Sequence, residues 1–186
     1  MTRSRGRAGG LLGLTLAGLA LAAPRPYAAA GGTATFEHRV RIVNVRGTIA
    51  GVTAQVQLDP ADLAATRGSV TVPLSELKTG IGLRDRHAQG EVALNTARYP
   101  NATFVLEKLT GGRLLEGQTL NTTASGRLTV KATTRPVSVP IKASLRGGRV
   151  EVSTQFKFNP YDFDVRYPGS SDSVTVGVTF TLAATP

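Results

Sequence analysis

Apolar and polar residues alternate with a period of two through most of this chain. VTAQVQL (residues 52–58) sets Val52, Ala54, Val56 and Leu58 on one side of an extended segment and Thr53, Gln55 and Gln57 on the other, which marks a strand with one dry and one wet face. The pattern recurs in SVTVPL (69–74), TFVLEKL (103–109), VSVPIKASL (137–145), RVEVSTQFKF (149–158) and VTVGVTFTL (174–182). TATFEHRVRIVNVRG (33–47) is rich in β-branched residues, has no helical stripe and reads as one extended run. TLNTTASGRLTVKAT (119–133) reads as one long or bulged strand around Gly126. Turn chemistry separates the runs: Asp59-Pro60-Ala61-Asp62 with a short turn or one-turn helix through Leu63, Gly111-Gly112, Thr134-Arg135-Pro136, Gly147-Gly148, and a polar loop over 159–172.

One stretch breaks the alternation. LSELKTGIGLRDRHAQGEVALNTARYPNATF (74–104) gathers charge and His87 between two strand-like runs. Asp85 stands where a helix N-cap belongs, so the pattern predicts a helix from Asp85 to near Leu94, weakened by Gly90 and ended before Tyr99-Pro100. About eight strands joined by short turns are antiparallel. One open sheet of that size leaves a broad apolar face in water, so it must close on itself or fold double. With one helix available to cover an open end, the expected fold is all-β: an extended antiparallel eight-stranded β-barrel with one short helix.

Composition narrows the context. The 186-residue chain fits a single domain and has no cysteine, which excludes disulfides, thiol catalysis, thiolate metal sites and a lipid-modified N-terminal cysteine. Arg3, Arg5 and Arg7, the apolar run LLGLTLAGLALAA (11–23) and the small residues Ala28, Ala29 and Ala30 together resemble a secretory leader. The expected division is a signal peptide over 1–30 and one domain over 31–186. Removing 1–30 takes Arg3, Arg5, Arg7 and Arg25 and no acid, so the charge falls from +10 to (22 − 4) − 12 = +6. An exported chain of modest positive charge argues against nucleic acid as a partner.

Candidate chemistry is sparse. The two histidines, His38 and His87, lie far apart and show no metal-ligand spacing. No G-x-S-x-G or phosphate loop is present. Asp162 and Asp164 share one side of an extended segment, but in a loop beside Tyr161 and Arg166 they suit turn and ion-pair roles. Arg84-Asp85-Arg86-His87 admits two readings: an anion site near a helix N-terminus, or a cap with Arg84 and Arg86 paired to acids such as Glu76 or Glu91. No catalytic residue, metal site or cofactor is expected.

Six short motifs occur in order: DPADL (59–63), SVTVPLSELKTG (69–80), RDRH (84–87), YPNATF (99–104), GRLTV (126–130) and TTRPV (133–137). Together they resemble the YceI family over essentially residues 33–182. The resemblance implies a lipocalin-like barrel that holds an isoprenoid or other long-chain lipid inside, in the periplasm or secreted, with stress response suggested for some members. On that reading alternation nominates Phe36, Val56, Val72, Leu83, Val92, Leu94, Phe104, Leu106, Val130, Val139, Ile141, Phe156, Phe158, Val176 and Phe180 as ligand contacts. Arg84, Arg86 and His87 would form a headgroup rim. The expected partner is an isoprenoid or fatty-acyl amphiphile, with transient contact to a membrane surface and a homodimer as further options. Two other readings stay open: an exported stress or interaction module with a packed barrel and no lipid ligand, and an enzyme in which Asp162, Asp164, Arg84 and His87 converge.

Overall fold

The structure is a computed structural model that describes residues 23–186. Most of the expected leader, residues 1–22, lies outside the described residues. Eight long strands form the wall: β1 (Arg25–Val40), β2 (Val43–Leu58), β3 (Arg67–Pro73), β5 (Asn101–Leu109), β6 (Thr119–Val130), β7 (Thr133–Arg146), β8 (Arg149–Phe158) and β9 (Ser170–Ala184). A two-residue strand, β4 (Leu77–Lys78), adds to β2 beside the end of β3. Neighbours run β1-β9-β8-β7-β6-β5-β3-β2, and β2 pairs back onto β1, all antiparallel. The expected barrel is therefore closed, and no long strand keeps a free edge.

The strand boundaries differ from the sequence expectation in three places. The run 33–47 is two strands, because Arg41 and Ile42 form a two-residue turn between Val40 and Val43 with Arg41 at φ 54°. The corner placed at 134–136 lies inside β7, and the chain turns instead at Lys131-Ala132, with Lys131 also at φ 54°. Neither turn contains Gly, Pro or Asn, so neither has the usual turn chemistry. Third, β1 starts at Arg25, which puts Ala28, Ala29 and Ala30 inside a strand. Tyr27 pairs with Val56 and Ala184, and Tyr27 and Ala29 are buried. Gly31-Gly32, which reads as the start of a mature chain, is a bulge here. Gly31 has φ 81°, and a Cβ on Gly32 would stand 2.7 Å from Cβ of Phe180.

The antiparallel order gives the barrel two distinct ends. At the base, a 3-10 turn (Leu63–Ala65) opens with Asp62 accepting from the Ala64 N–H at 3.1 Å. It is stitched to the β5–β6 loop by Leu63 N–H to Gly112 O (3.1 Å) and Leu114 N–H to Pro60 O (2.8 Å). Leu63, Leu109 and Leu114 are buried there and seal that end. At the other end lie the Arg41-Ile42 and Lys131-Ala132 turns, the 74–100 segment and the 159–169 loop. In that loop the buried Phe163 sits edge-on to Phe158, with ring centroids 5.3 Å apart.

Candidate functional site

The alternation that closes the barrel also lines it. Inward rows such as Val150, Val152, Thr154, Phe156 and Phe158 of β8 and Val174, Val176, Val178, Phe180 and Leu182 of β9 face a cavity of about 740 Å³. That volume falls within the range of ligand pockets. Valine supplies five of the ten residues on these rows, and the rows leave this volume open between them. Val56, Leu106, Ile141, Val152 and Phe156 point into a closed wall yet are only half-buried, because they border open volume. A packed barrel would bury them.

All the expected contacts line this cavity except Leu83 and Val92. Those two are 56% and 71% exposed. The reason is the helix, which differs from the sequence expectation: α1 spans Gly82–Gln89, begins at Ile81 without a side-chain cap, and stops at Gly90. Asp85 is not its cap. Its carboxylate accepts from Thr79 N–H (2.7 Å) and Thr79 Oγ1 (2.6 Å), which holds the loop before the helix, and the Thr79 hydroxyl keeps Asp85 below its ordinary pKa. Gln89 Nε2 donates to Ser75 O (3.0 Å) and Leu77 O (3.1 Å). Held this way, the segment turns Ala88, Ala93 and Leu94 to the cavity and Leu83 and Val92 to solvent.

Of the expected rim, Arg84 borders the cavity, whereas Arg86 and His87 do not. Among the described residues neither Arg84 nor Arg86 joins an ion pair, so the expected pairing with Glu76 or Glu91 is not formed. At this end the cavity is bordered instead by His38, Arg41, Ile42 and Val43 of the first hairpin, with Tyr167 from the loop before β9 and Ser170 at the start of β9. Arg41 N–H donates to Gly169 O at 2.7 Å, and Tyr161 Oη donates to Ser170 O at 2.6 Å, so hairpin and loop are tied together. Sequence reasoning missed this group because the Arg41-Ile42 turn was hidden inside one long run.

The lining offers little reactive chemistry. Asp164 lies outside it, 3.2 Å from Arg166 and 3.9 Å from Lys131, and Asp162 and His87 are also absent from the wall. The four groups of the enzyme reading do not meet. Among the described residues no three His, Cys, Asp or Glu side chains cluster as metal ligands. At the base, Thr66 Oγ1 is buried without a hydrogen-bond partner.

His38 lines the cavity near the mouth, and burial, reinforced by the charge of Arg84, lowers its pKa below 6.5. The folded protein therefore holds His38 neutral where the unfolded chain takes up a proton, so stability falls as pH drops below 6.5 and levels off once the folded histidine protonates as well. The urea midpoint of the wild type should drop between about pH 7.5 and about pH 5.5 by more than that of His38→Gln, measured by fluorescence or circular dichroism. Equal drops would contradict the burial of this imidazole.

A family model described as a YceI-like domain matches residues 27–184, nearly the whole barrel wall. The chain belongs to the YceI family. Protein YceI of Escherichia coli is 28% identical over 171 residues, covering 84% of this chain and 86% of that protein. Among solved structures, BcnA of Burkholderia cenocepacia superposes with a TM-score of 0.70 at 20% identity, over 81% of this chain and 95% of that one. A polyisoprenoid binding domain from Saccharophagus degradans, implicated in plant cell wall breakdown, gives 0.72 at 14% identity, over 86% and 98%. Identities this low bear on the fold, and the YceI barrel is what all these chains share.

Proposed function

We propose that this protein is an exported, non-enzymatic carrier that holds one long-chain amphiphile, a polyisoprenoid or fatty-acyl lipid, inside its barrel for transport, storage or stress protection. The observation that carries the reading is the apolar cavity of about 740 Å³, lined at the base by buried Leu63, Leu109 and Leu114 and at the other end by His38, Ile42, Val43 and Arg84. A solved relative of the same fold is described as a polyisoprenoid binding domain, which supports the same ligand class. Each buried methylene contributes about 0.8 kcal/mol, so ten of them give roughly 8 kcal/mol before ordering costs. An exposed ion pair at the opening adds only about 0–1 kcal/mol. Affinity thus resides in the tail, and Arg84, Arg41 and His38 act on the choice of headgroup. Brief contact with a membrane surface belongs to this reading, because a long tail has no soluble reservoir.

Export places the carrier in the periplasm or outside the cell. Processing after Ala30 would remove the first six residues of β1, including buried Tyr27 and Ala29. The Ala20-Leu21-Ala22 sequence meets the small-x-small requirement and leaves the strand whole. The intact mass of protein secreted from its host should accordingly correspond to a chain starting at Ala23, and a chain starting at Gly31 would refute this placement.

Organic extraction of the purified mature protein followed by mass spectrometry tests the carrier. The expected result is a prenyl or long acyl lipid near one per protein. A protein that yields none, and that takes up no fluorescent prenyl or acyl probe, is not a carrier; the second reading, an exported interaction module, would then stand.

A further inference from the structure

Seven large hydrophobic side chains are exposed among the described residues, and five of them (Ile42, Val43, Ile81, Leu83 and Val92) belong to the first hairpin and the α1 segment at the mouth end. Ile42 is the extreme case, 86% exposed at the very tip of its turn. Arg41 adopts φ 54° there, and its backbone is anchored to Gly169, so the turn presents Ile42 outward on a fixed support. Ile42 and Val43 also border the cavity. The hairpin tip is therefore continuous with the lumen.

Arginines flank these tips: Arg39 and Arg41 on the hairpin, Arg84 and Arg86 on α1. None of the four takes part in an ion pair among the described residues. Several acids of the same end are committed elsewhere: Glu37 to Arg46, Asp85 to Thr79, and Asp164 to Arg166 and Lys131. Glu76, Glu91, Asp162 and Asp172 remain, so the end is mixed in sign, with its uncommitted cations placed beside the exposed aliphatics. Five of the seven exposed aliphatics fall at this one end, and such gathering, in contrast to a lone exposed residue, points to an interaction site. Separate aliphatic tips on two elements, each beside a cation, suit insertion between lipid headgroups; they do not form the continuous groove that a helix or strand would fill.

We infer that the mouth end docks on a bilayer surface containing anionic phospholipid, with Ile42 and Leu83 entering the headgroup boundary and Arg39, Arg41, Arg84 and Arg86 meeting lipid phosphates. This deepens the carrier reading and rests on it for its purpose: docking opens the lumen directly to the membrane, and a tail crosses without passing through water. The attraction is partly electrostatic and weakens with salt.

Sedimentation of the mature protein with vesicles of phosphatidylcholine and phosphatidylglycerol (about 7:3), beside vesicles of phosphatidylcholine alone, tests the face. The wild type should bind the mixed vesicles at least about tenfold more tightly, and moderate salt should reduce the difference. Ile42→Asp with Leu83→Asp should lower binding to the mixed vesicles at least about tenfold. Val105→Asp, an exposed site on the outer wall of β5, should bind as the wild type does. Thermal melts verify folding, and Ile42→Ser with Leu83→Ser takes the place of the aspartate pair should that pair fail to fold. Equal binding to both vesicle types, or undiminished binding by the paired variant, overturns the inference. Mass spectrometry of lipid in the same preparations separates the two ideas. A protein that docks but carries no amphiphile sinks the carrier reading alone, and one that carries lipid but does not dock sinks this inference alone.

Discussion

Val56→Phe combined with Val152→Phe should leave the barrel folded and its lumen without lipid. The two residues stand on β2 and β8, three strands apart around the wall, and both face the cavity. Both are only half-buried now, so the added rings enter open volume and do not strain a packed core. Excluding about four methylenes of a tail removes roughly 3 kcal/mol, which is a hundredfold or more in affinity. Lipid recovered per protein should therefore fall to background, while the melting temperature of delipidated protein stays the same or rises. Loading equal to the wild type would place the ligand elsewhere. A barrel that unfolds would show that its interior is more tightly packed than the half-buried rows indicate.

Phe163→Ala should cause the largest loss of stability. Phe163 is 2% exposed, stands nearly perpendicular to the ring of Phe158, and belongs with Leu128, Val130 and Val178 to the cluster near the mouth. It lies on a 3-10 turn (Pro160–Phe163) whose first N–H groups are held by Asn159, and no strand hydrogen bond replaces its packing. Truncating a buried phenylalanine costs about 3–5 kcal/mol, so the urea midpoint should fall by a molar or more for a domain of this size. A loss below about 1 kcal/mol would show that the 159–169 loop closes the barrel without this ring.

How much was legible in the sequence follows from where burial enforces a pattern. Along β8 and β9 every second residue faces the lumen, and a one-residue slip would put Phe156 and Phe180 in water, so alternation alone identified those rows. The lower wall was legible for the same reason, as was the turn through Leu63. The mouth was not. Arg41-Ile42 and Lys131-Ala132 turn the chain without the Gly, Pro, Asn or Asp that usually marks a hairpin, and the first residue of each takes a left-handed conformation that propensity does not anticipate. Once the first turn was missed, His38, Arg41 and Ile42 could not be placed at an opening. Asp85 misled in another way: an acid before a helical pattern reads as a cap, whereas here it bonds backward to Thr79, and the helix starts three residues earlier. Leu83 and Val92 were assigned inward by the same error. The glycine pair at 31–32 reads as the start of a processed chain, and nothing in the alternation signals the bulge that it forms against β2.

The leucine seal at the base fixes how any occupant must be exchanged. On the proposed carrier function, buried Leu63, Leu109 and Leu114 stand across the base of the lumen, so a chain that enters tail-first from the mouth would leave along the same path in reverse. A newcomer has no rear entrance from which to push the old one out. Replacement must therefore wait for departure, and the exchange rate should be independent of the concentration of competing lipid.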